Sequence, residues 1–478
     1  MYSEPCLYAD GKWLTARGGI VSIENPATQR PIGEIRLAAA EDVDAAVKAA
    51  REAFDTGPWP HIHPVERRAA LLRLTEALTE RRAAIADRLI ADLGCPVSQT
   101  RSFQIDRPLQ HWRYIADLAL APTETPLPPV PFTLQPGTAV AEPIGVVAAI
   151  TAYNYPFMIA TWKLGPALAA GCTAVWKPAE IDPLAAYEIM RAIEDADLPP
   201  GVVNLVVGGP DTGSQLVCHP GVDAVSFTGS VPVGTQVLTD AAPGVKRVVL
   251  ELGGKSPAVV LDDADVDALV PKITMGYLLN SGQACGATTR LLVARSLLEE
   301  VTGKVVTASK AVPMGDPTDQ RNILGPLVSA RQRKRVEDLL ATVEPQGGRF
   351  ATGGGRPKAL TSGYYIEPTV VIGLDNSATI SREEVFGPVL SVIPFDSDDE
   401  AVQIANDSPF GLAAVIYGRK RSRTMTVARR IRAGTVCVGS GTFNPAAPIG
   451  GYKQSGIGRE GGVWGLSEFL EVKHLSWA

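Results

Sequence analysis

The chain has 478 residues, 45% apolar and 20% charged, with no long biased tract. That length exceeds one ordinary hydrophobic core, so two or three domains are expected, and the composition is that of a folded globular protein rather than a disordered or fibrous one. Lys plus Arg total 45 against 51 Asp plus Glu, a formal charge of -6 with both signs interspersed, which argues against nucleic acid as a partner.

Six cysteines, Cys6, Cys95, Cys172, Cys218, Cys285 and Cys437, lack both the short paired spacings of a metal site and the density of a disulfide scaffold. They read as free thiols in a reducing compartment, and no metal is expected. Glu4, Asp10 and Lys12 interrupt the place where a secretion signal needs an unbroken apolar stretch, so the expected location is cytoplasmic. The uncharged run from Pro143 to Trp162 has the length to cross a bilayer. Gly145, Asn154 and Pro156 interrupt it, however, and its Tyr-Asn-Tyr-Pro centre reads as a turn, so no membrane span is expected.

In chain order, the first third reads as helical where it is regular, with Val43, Ala46, Val47, Ala50 and Phe54 recurring at helical spacing behind Glu41 and Asp42. A second stripe, Leu71, Leu74, Leu78, Ile85 and Leu89, stops before Gly94 and Pro96. Dense prolines (Pro122, Pro126, Pro128, Pro129, Pro131 and Pro136) predict an excursion, either a linker or an oligomer arm. From Ile144 to Gly254 the apolar runs IGVVAAIT, TAVWK, GVVNLVVG, DAVSFTG and RVVLEL alternate with amphipathic segments, including helices over Pro156 to Ala170 and near Leu184 to Ala196. Continuous apolar strands between helices imply a parallel sheet covered on both faces, a doubly wound α/β domain that holds ligands at its strand C-terminal ends. A second alternation from Pro257 to about Gly434 predicts another α/β domain, and from Glu468 the chain reads as a strand leaving the body.

Gly229 and Gly234, within FTGSVPVG, occupy a strand-to-helix turn whose exposed N–H groups suit a phosphate, although backbone geometry alone also explains glycines there. No lysine follows Gly234, and Val249 occupies the glycine position that GGKS would require, so neither segment is an ATP-type phosphate loop. Lys177 and Glu180 follow a strand at the end where a ribose would lie. A carboxylate there accepts ribose hydroxyls and repels a 2′-phosphate, which favours NAD over NADP; a solvated loop is the alternative. Cys285 sits in the polar, glycine-lined loop NSGQACGATTR after the helical run Val266 to Leu279, either as a nucleophile or as a packed thiol. Glu251 ends the RVVLEL strand among apolar neighbours, where its pKa would rise toward general-base work unless it faces water.

Together AYNYP with Asn154, KPAE with Lys177 and Glu180, FTGSVPVG, ELGGKSP with Glu251, GQACGATTR with Cys285, EEVFGP with Glu384 and Phe386, and PIGGYKQSGIGRE from Pro448 resemble the NAD(P)-dependent aldehyde dehydrogenase superfamily, from about Leu7 to the C-terminus. The resemblance implies a Rossmann-type NAD-binding domain over 7–118 and 139–250, an α/β catalytic domain over 251–459, and a small β oligomerisation element over 119–138 and 460–478, assembled as a homodimer or homotetramer. It implies that Thr151, Lys177, Glu180, Gly209, Gly229, Ser230, Gly234, Leu252, Glu384 and Phe386 bind the cofactor. Cys285 would be the nucleophile, Asn154 an oxyanion donor and Glu251 the hydrolytic base. Departures from the commoner pattern are Tyr153 and Tyr155 around Asn154, Pro232, Ile449, and the asparagine missing from Val436 to Gly439.

Trp162 occupies a place where relatives selective for succinate semialdehyde can carry arginine. With Tyr155, Phe157, Ile159, Phe443 and Ile449 it implies an apolar, partly aromatic pocket for an aromatic, terpenoid or medium-chain aliphatic aldehyde. Transfer of the acyl group to coenzyme A is the main alternative, which Glu251 disfavours because that route needs no water-activating base. A thiol esterase would need a histidine beside Cys285, and none of the five histidines lies in a matched catalytic segment.

Overall fold

The computed structural model describes residues 2–3, 7–129, 131–132, 135–439 and 444–477, whose strands form four sheets. The eight-stranded sheet runs in the order Gly456–Ile457, Arg247–Glu251, Ala224–Thr228, Val146–Ile150, Thr173–Lys177, Val203–Val206, Leu7–Ala9, Lys12–Leu14. Its five inner strands are parallel. They are the apolar runs expected from the sequence, buried because helices cover both faces.

The chain enters this sheet at its centre, through Val146–Ile150. It builds outward to Thr173–Lys177 and Val203–Val206, then crosses to Ala224–Thr228 and Arg247–Glu251 on the other side. The connections leaving Val146–Ile150 and Ala224–Thr228 therefore diverge, and a crevice opens beyond their C-terminal ends. The helix Pro156–Ala170, every residue of it buried, starts at that crevice and stops at Gly171, whose φ of 99° suits glycine. This strand and helix divide the Pro143 to Trp162 run, and among the described residues no helix is long and apolar enough to cross a membrane.

The second large sheet has the order Arg349–Thr352, Thr369–Ile372, Val389–Phe395, Arg290–Ala294, Pro257–Val260, Ala413–Tyr417, Thr435–Val438, parallel except for its first strand. The proline-rich excursion and the C-terminal segment meet in an antiparallel sheet of Glu124–Pro126, Gly137–Pro143 and Leu470–Ser476.

The N-terminal region differs from its helical expectation. Ile20–Asn25 and Arg30–Arg36 form a hairpin, and Leu7–Ala9 joins the edge of the first sheet antiparallel to Val203–Val206. Three residues are too few to show a period, so pairing rather than pattern defines that edge strand. The second leucine stripe is carried by Pro64–Glu80, Arg82–Arg88 and the π-helical turn Leu89–Leu93, which ends at Gly94 with φ 75°.

Candidate active site

The helix Val266–Leu278 leads into three successive left-handed residues, Asn280, Ser281 and Gly282, with φ of 52°, 57° and 76°. A Cβ on Gly282 would lie 2.2 Å from the Gly387 backbone, so only glycine fits. Side chains compensate this strained turn. Asn280 Nδ2 donates to the Asn154 carbonyl at 2.8 Å, the Asn280 N–H donates to Gln99 Oε1 at 2.9 Å, and Gln283 Oε1 accepts from the Val328 N–H at 2.9 Å. Cys285 follows three residues after Gly282, held by this clamp.

Asn154 lies in the turn between Val146–Ile150 and Pro156–Ala170 and is buried. Gln104 Nε2 also donates to its carbonyl, at 3.0 Å. Among the described residues no hydrogen bond engages its side-chain amide, which leaves that donor for a ligand. The turn after Glu251 presses on the Cys285 loop, since a Cβ on Gly254 would stand 2.5 Å from the Cys285 carbonyl oxygen. Strand, helix-start and loop thus bring Glu251, Asn154 and Cys285 to one place.

Burial, then the charges of Glu251 and Glu384, hold the Cys285 thiol well above its ordinary pKa, while the Gly286 N–H opposes them. As a residue Cys285 is nevertheless only half-buried. Burial and then Glu460 push Glu251 well above the carboxylate range, against the pull of Lys163 and Arg459. Among the described residues Glu251 Oε2 has no hydrogen-bond partner. Burial thus disfavours the charged form of both groups.

Two neighbours were absent from the sequence reading. Lys163 Nζ lies 2.7 Å from Glu460 Oε1 and donates to Ser226 Oγ at 3.2 Å, with the ion pair sealed from water. A lysine in an otherwise apolar, fully buried helix was the available signal, because a buried cation requires a counter-ion.

The residues expected to bind cofactor stand along the C-terminal edge of the first sheet. Thr151 Oγ1 accepts from Trp176 Nε1 at 3.0 Å. Buried Lys177 reaches the Pro178 carbonyl at 3.2 Å and Glu180 at 3.8 Å, and burial lowers its pKa. Glu180 is partly exposed. Gly209 precedes the helix Pro210–Cys218 with open space beside it, and Ser230 precedes Val231–Ala241 without capping it. Gly229 donates to the Glu251 carbonyl at 3.1 Å. Gly234 lacks a side chain because Leu252 fills the space, 2.6 Å from where a Cβ would stand.

From the segment ahead of Val389–Phe395 in the second large sheet, Glu384 Oε1 accepts from the Gly254 N–H at 3.1 Å, and burial pushes its pKa up to about 7. Phe386 adopts φ 55° and meets the Tyr153 ring edge-to-face at 5.8 Å. These residues offer a buried cation, a helix start without a side-chain cap and two carboxylates, a set of donors and acceptors that fits a dinucleotide.

Along the helix Pro156–Ala170 the expected pocket residues separate. Tyr155, next to Asn154, is half-buried; its buried hydroxyl has no hydrogen-bond partner among the described residues, and the charges of Cys95, Cys285 and Arg107 all act on it. Phe157 belongs to the core of the first domain. Ile159 and Trp162 are buried outside that core, as is Met158, which the sequence reading omitted. Trp162 Nε1 donates to His111 Nδ1 at 3.2 Å. Ile449 pairs with Glu460 through two backbone hydrogen bonds of 2.7 Å, and Phe443 lies outside the described residues.

A model of the aldehyde dehydrogenase family matches residues 13–475. The chain is similar to a 3-succinoylsemialdehyde-pyridine dehydrogenase from Pseudomonas sp, 41% identical over 98% of this chain and 97% of that protein. Among solved structures it is similar to a point mutant of betaine aldehyde dehydrogenase from Staphylococcus aureus in complex with NAD+, with a TM-score of 0.97, 35% identity, and coverage of 99% of this chain and 96% of that one. A mutant aldehyde dehydrogenase C from Pseudomonas syringae, in complex with NAD+ and octanal, gives a TM-score of 0.95 at 40% identity, covering 98% and 96%.

Proposed function

We propose that this chain, which belongs to the aldehyde dehydrogenase family, oxidises a neutral, largely apolar aldehyde to its carboxylic acid with NAD+ through Cys285. The observation that carries the chemistry is the convergence of a buried Glu251, an Asn154 amide open to ligand and the Cys285 loop clamped against Asn154.

Ionised Glu251 takes the proton of Cys285 and passes it on to solvent, and the sulfur adds to the aldehyde carbon. The Asn154 side-chain amide and the Cys285 N–H donate to the oxygen that becomes negative, and each such donor is worth about 100- to 1,000-fold in rate. Lys177, Glu180, Thr151, Gly209, Gly229, Ser230, Gly234, Leu252, Glu384 and Phe386 hold the dinucleotide, with Glu180 and Glu384 at its two ribose ends. Bound there, the nicotinamide supplies the acceptor for the aldehyde's hydride. Glu251 then takes a proton from water, which attacks the thioester left on Cys285 and releases the acid.

Tyr155, Met158, Ile159, Trp162 and Ile449 line the pocket in this reading, with Phe157 as packing beneath it. The octanal complex of the Pseudomonas syringae protein supports an aliphatic substrate. We assign residues 7–118 and 139–250 to the nucleotide domain, 251–459 to the catalytic domain, and 119–138 with 460–478 to a homo-oligomeric contact in a cytoplasmic enzyme. The exposed Val472, Leu475 and Trp477 support that contact. The test is NADH formation by purified protein with octanal, an aromatic aldehyde, succinate semialdehyde and betaine aldehyde, each with and without coenzyme A. Preference for the acidic or the cationic aldehyde would overturn the substrate class, and a strict requirement for coenzyme A would overturn hydrolysis.

A further inference from the structure

The helix Arg107–Leu118 packs alongside Pro156–Ala170 and turns Arg107 and His111, four residues apart and so on one face, toward it. His111 receives the Trp162 indole N–H, and their rings meet edge-to-face at 6.0 Å. The charge of Arg107 acts on His111 and on Tyr155, and Tyr155 in turn lies within reach of the Cys285 charge. Arg107 therefore lies one helical turn from the His111–Trp162 contact and within electrostatic reach of Tyr155. Its guanidinium carbon lies 4.0 Å from the centre of the Phe103 ring, which fixes its orientation, and it is half-buried. Burial and this cation keep His111 down at about 4, so the imidazole is neutral and Arg107 carries the fixed charge of this wall.

We propose that Arg107 is a specificity-determining residue, a charge filter that rejects aldehydes bearing a fixed positive group and passes neutral ones of the same shape. The inference rests on the active site proposed above and adds what that site excludes. Like charges in a partly desolvated passage repel far more strongly than in water, and such a repulsive element separates substrates that apolar walls alone would treat alike.

The test compares betaine aldehyde with its neutral isostere, in which a tert-butyl group replaces trimethylammonium. The wild type should favour the neutral compound in kcat/KM by at least about tenfold. Arg107→Lys should keep that preference. Arg107→Met should shrink it to within about threefold, chiefly by lowering KM for the cation, and added salt should narrow the ratio in the wild type but not in Arg107→Met. No preference in the wild type, an unchanged ratio in Arg107→Met, or equal loss with both compounds would overturn the filter. Protection of Cys285 from iodoacetamide by each compound reads the same preference without turnover, so failure of the proposed activity and failure of the filter are distinguishable.

Discussion

Lys163 Nζ sits 2.7 Å from Glu460 Oε1 with both side chains sealed from water, while Glu460 Oε2 and Glu251 Oε2 remain unpartnered nearby. Removing one member of a buried ion pair strands the other's charge, at a cost of about 3–5 kcal/mol, whereas replacing both with apolar groups is close to neutral. Lys163→Met should therefore lower stability by that amount in chemical denaturation, and Lys163→Met with Glu460→Leu should recover most of it. Lys163 also draws the Glu251 pKa down, so its loss should move the acid limb of thioester hydrolysis to higher pH.

The two asparagines should separate catalysis from positioning. Asn154→Ala removes an oxyanion donor and should lower kcat by about 100- to 1,000-fold with the fold intact by circular dichroism. Asn280→Ala leaves the Asn154 amide in place but loosens the Asn154 backbone and the left-handed turn, so a loss of roughly 10- to 100-fold is expected, with steady-state rates and thermal unfolding measured on both.

Because burial and three carboxylates, Glu251, Glu384 and Glu460, raise the Cys285 pKa, the thiolate is a minor form throughout the neutral range. Below a pKa the thiolate fraction grows about tenfold per pH unit, so alkylation of Cys285 by iodoacetamide should rise about tenfold for each unit between pH 7 and 9. Mass spectrometry of the labelled peptide distinguishes it from exposed Cys218. A plateau in this range would show a thiol ionised at rest.

Phe157 and Met158 should respond oppositely although they are neighbours. Phe157→Ala opens a hole in the core of the nucleotide domain and should cost about 3–5 kcal/mol of stability. Met158→Ala, on the face of the helix shared with Trp162, should instead change the relative KM of short and long aldehydes. Denaturation midpoints and a chain-length series check the pair.

The sequence by itself determined the strands of the nucleotide sheet, since long apolar runs bounded by helices have one use, and it determined the end of Pro156–Ala170 through Gly171. It also singled out Cys285, Glu251 and Asn154, because these residues sit in segments whose order along the chain is specific. Only the tertiary structure decided what surrounds them. The Lys163–Glu460 pair joins residues 297 apart, and the Asn280–Asn154 clamp spans 126. A local pattern holds no record of such distant partners. Helical spacing showed Phe157, Met158 and Ile159 as equally apolar, and packing alone assigns the first to the core and leaves the other two outside it. No local pattern sets Arg107 apart from the other charges of the chain, and only the packing of its helix against Pro156–Ala170 brings it within electrostatic reach of Tyr155. Which face of an apolar helix meets a neighbour, and which charge that neighbour brings, is fixed by how the elements dock.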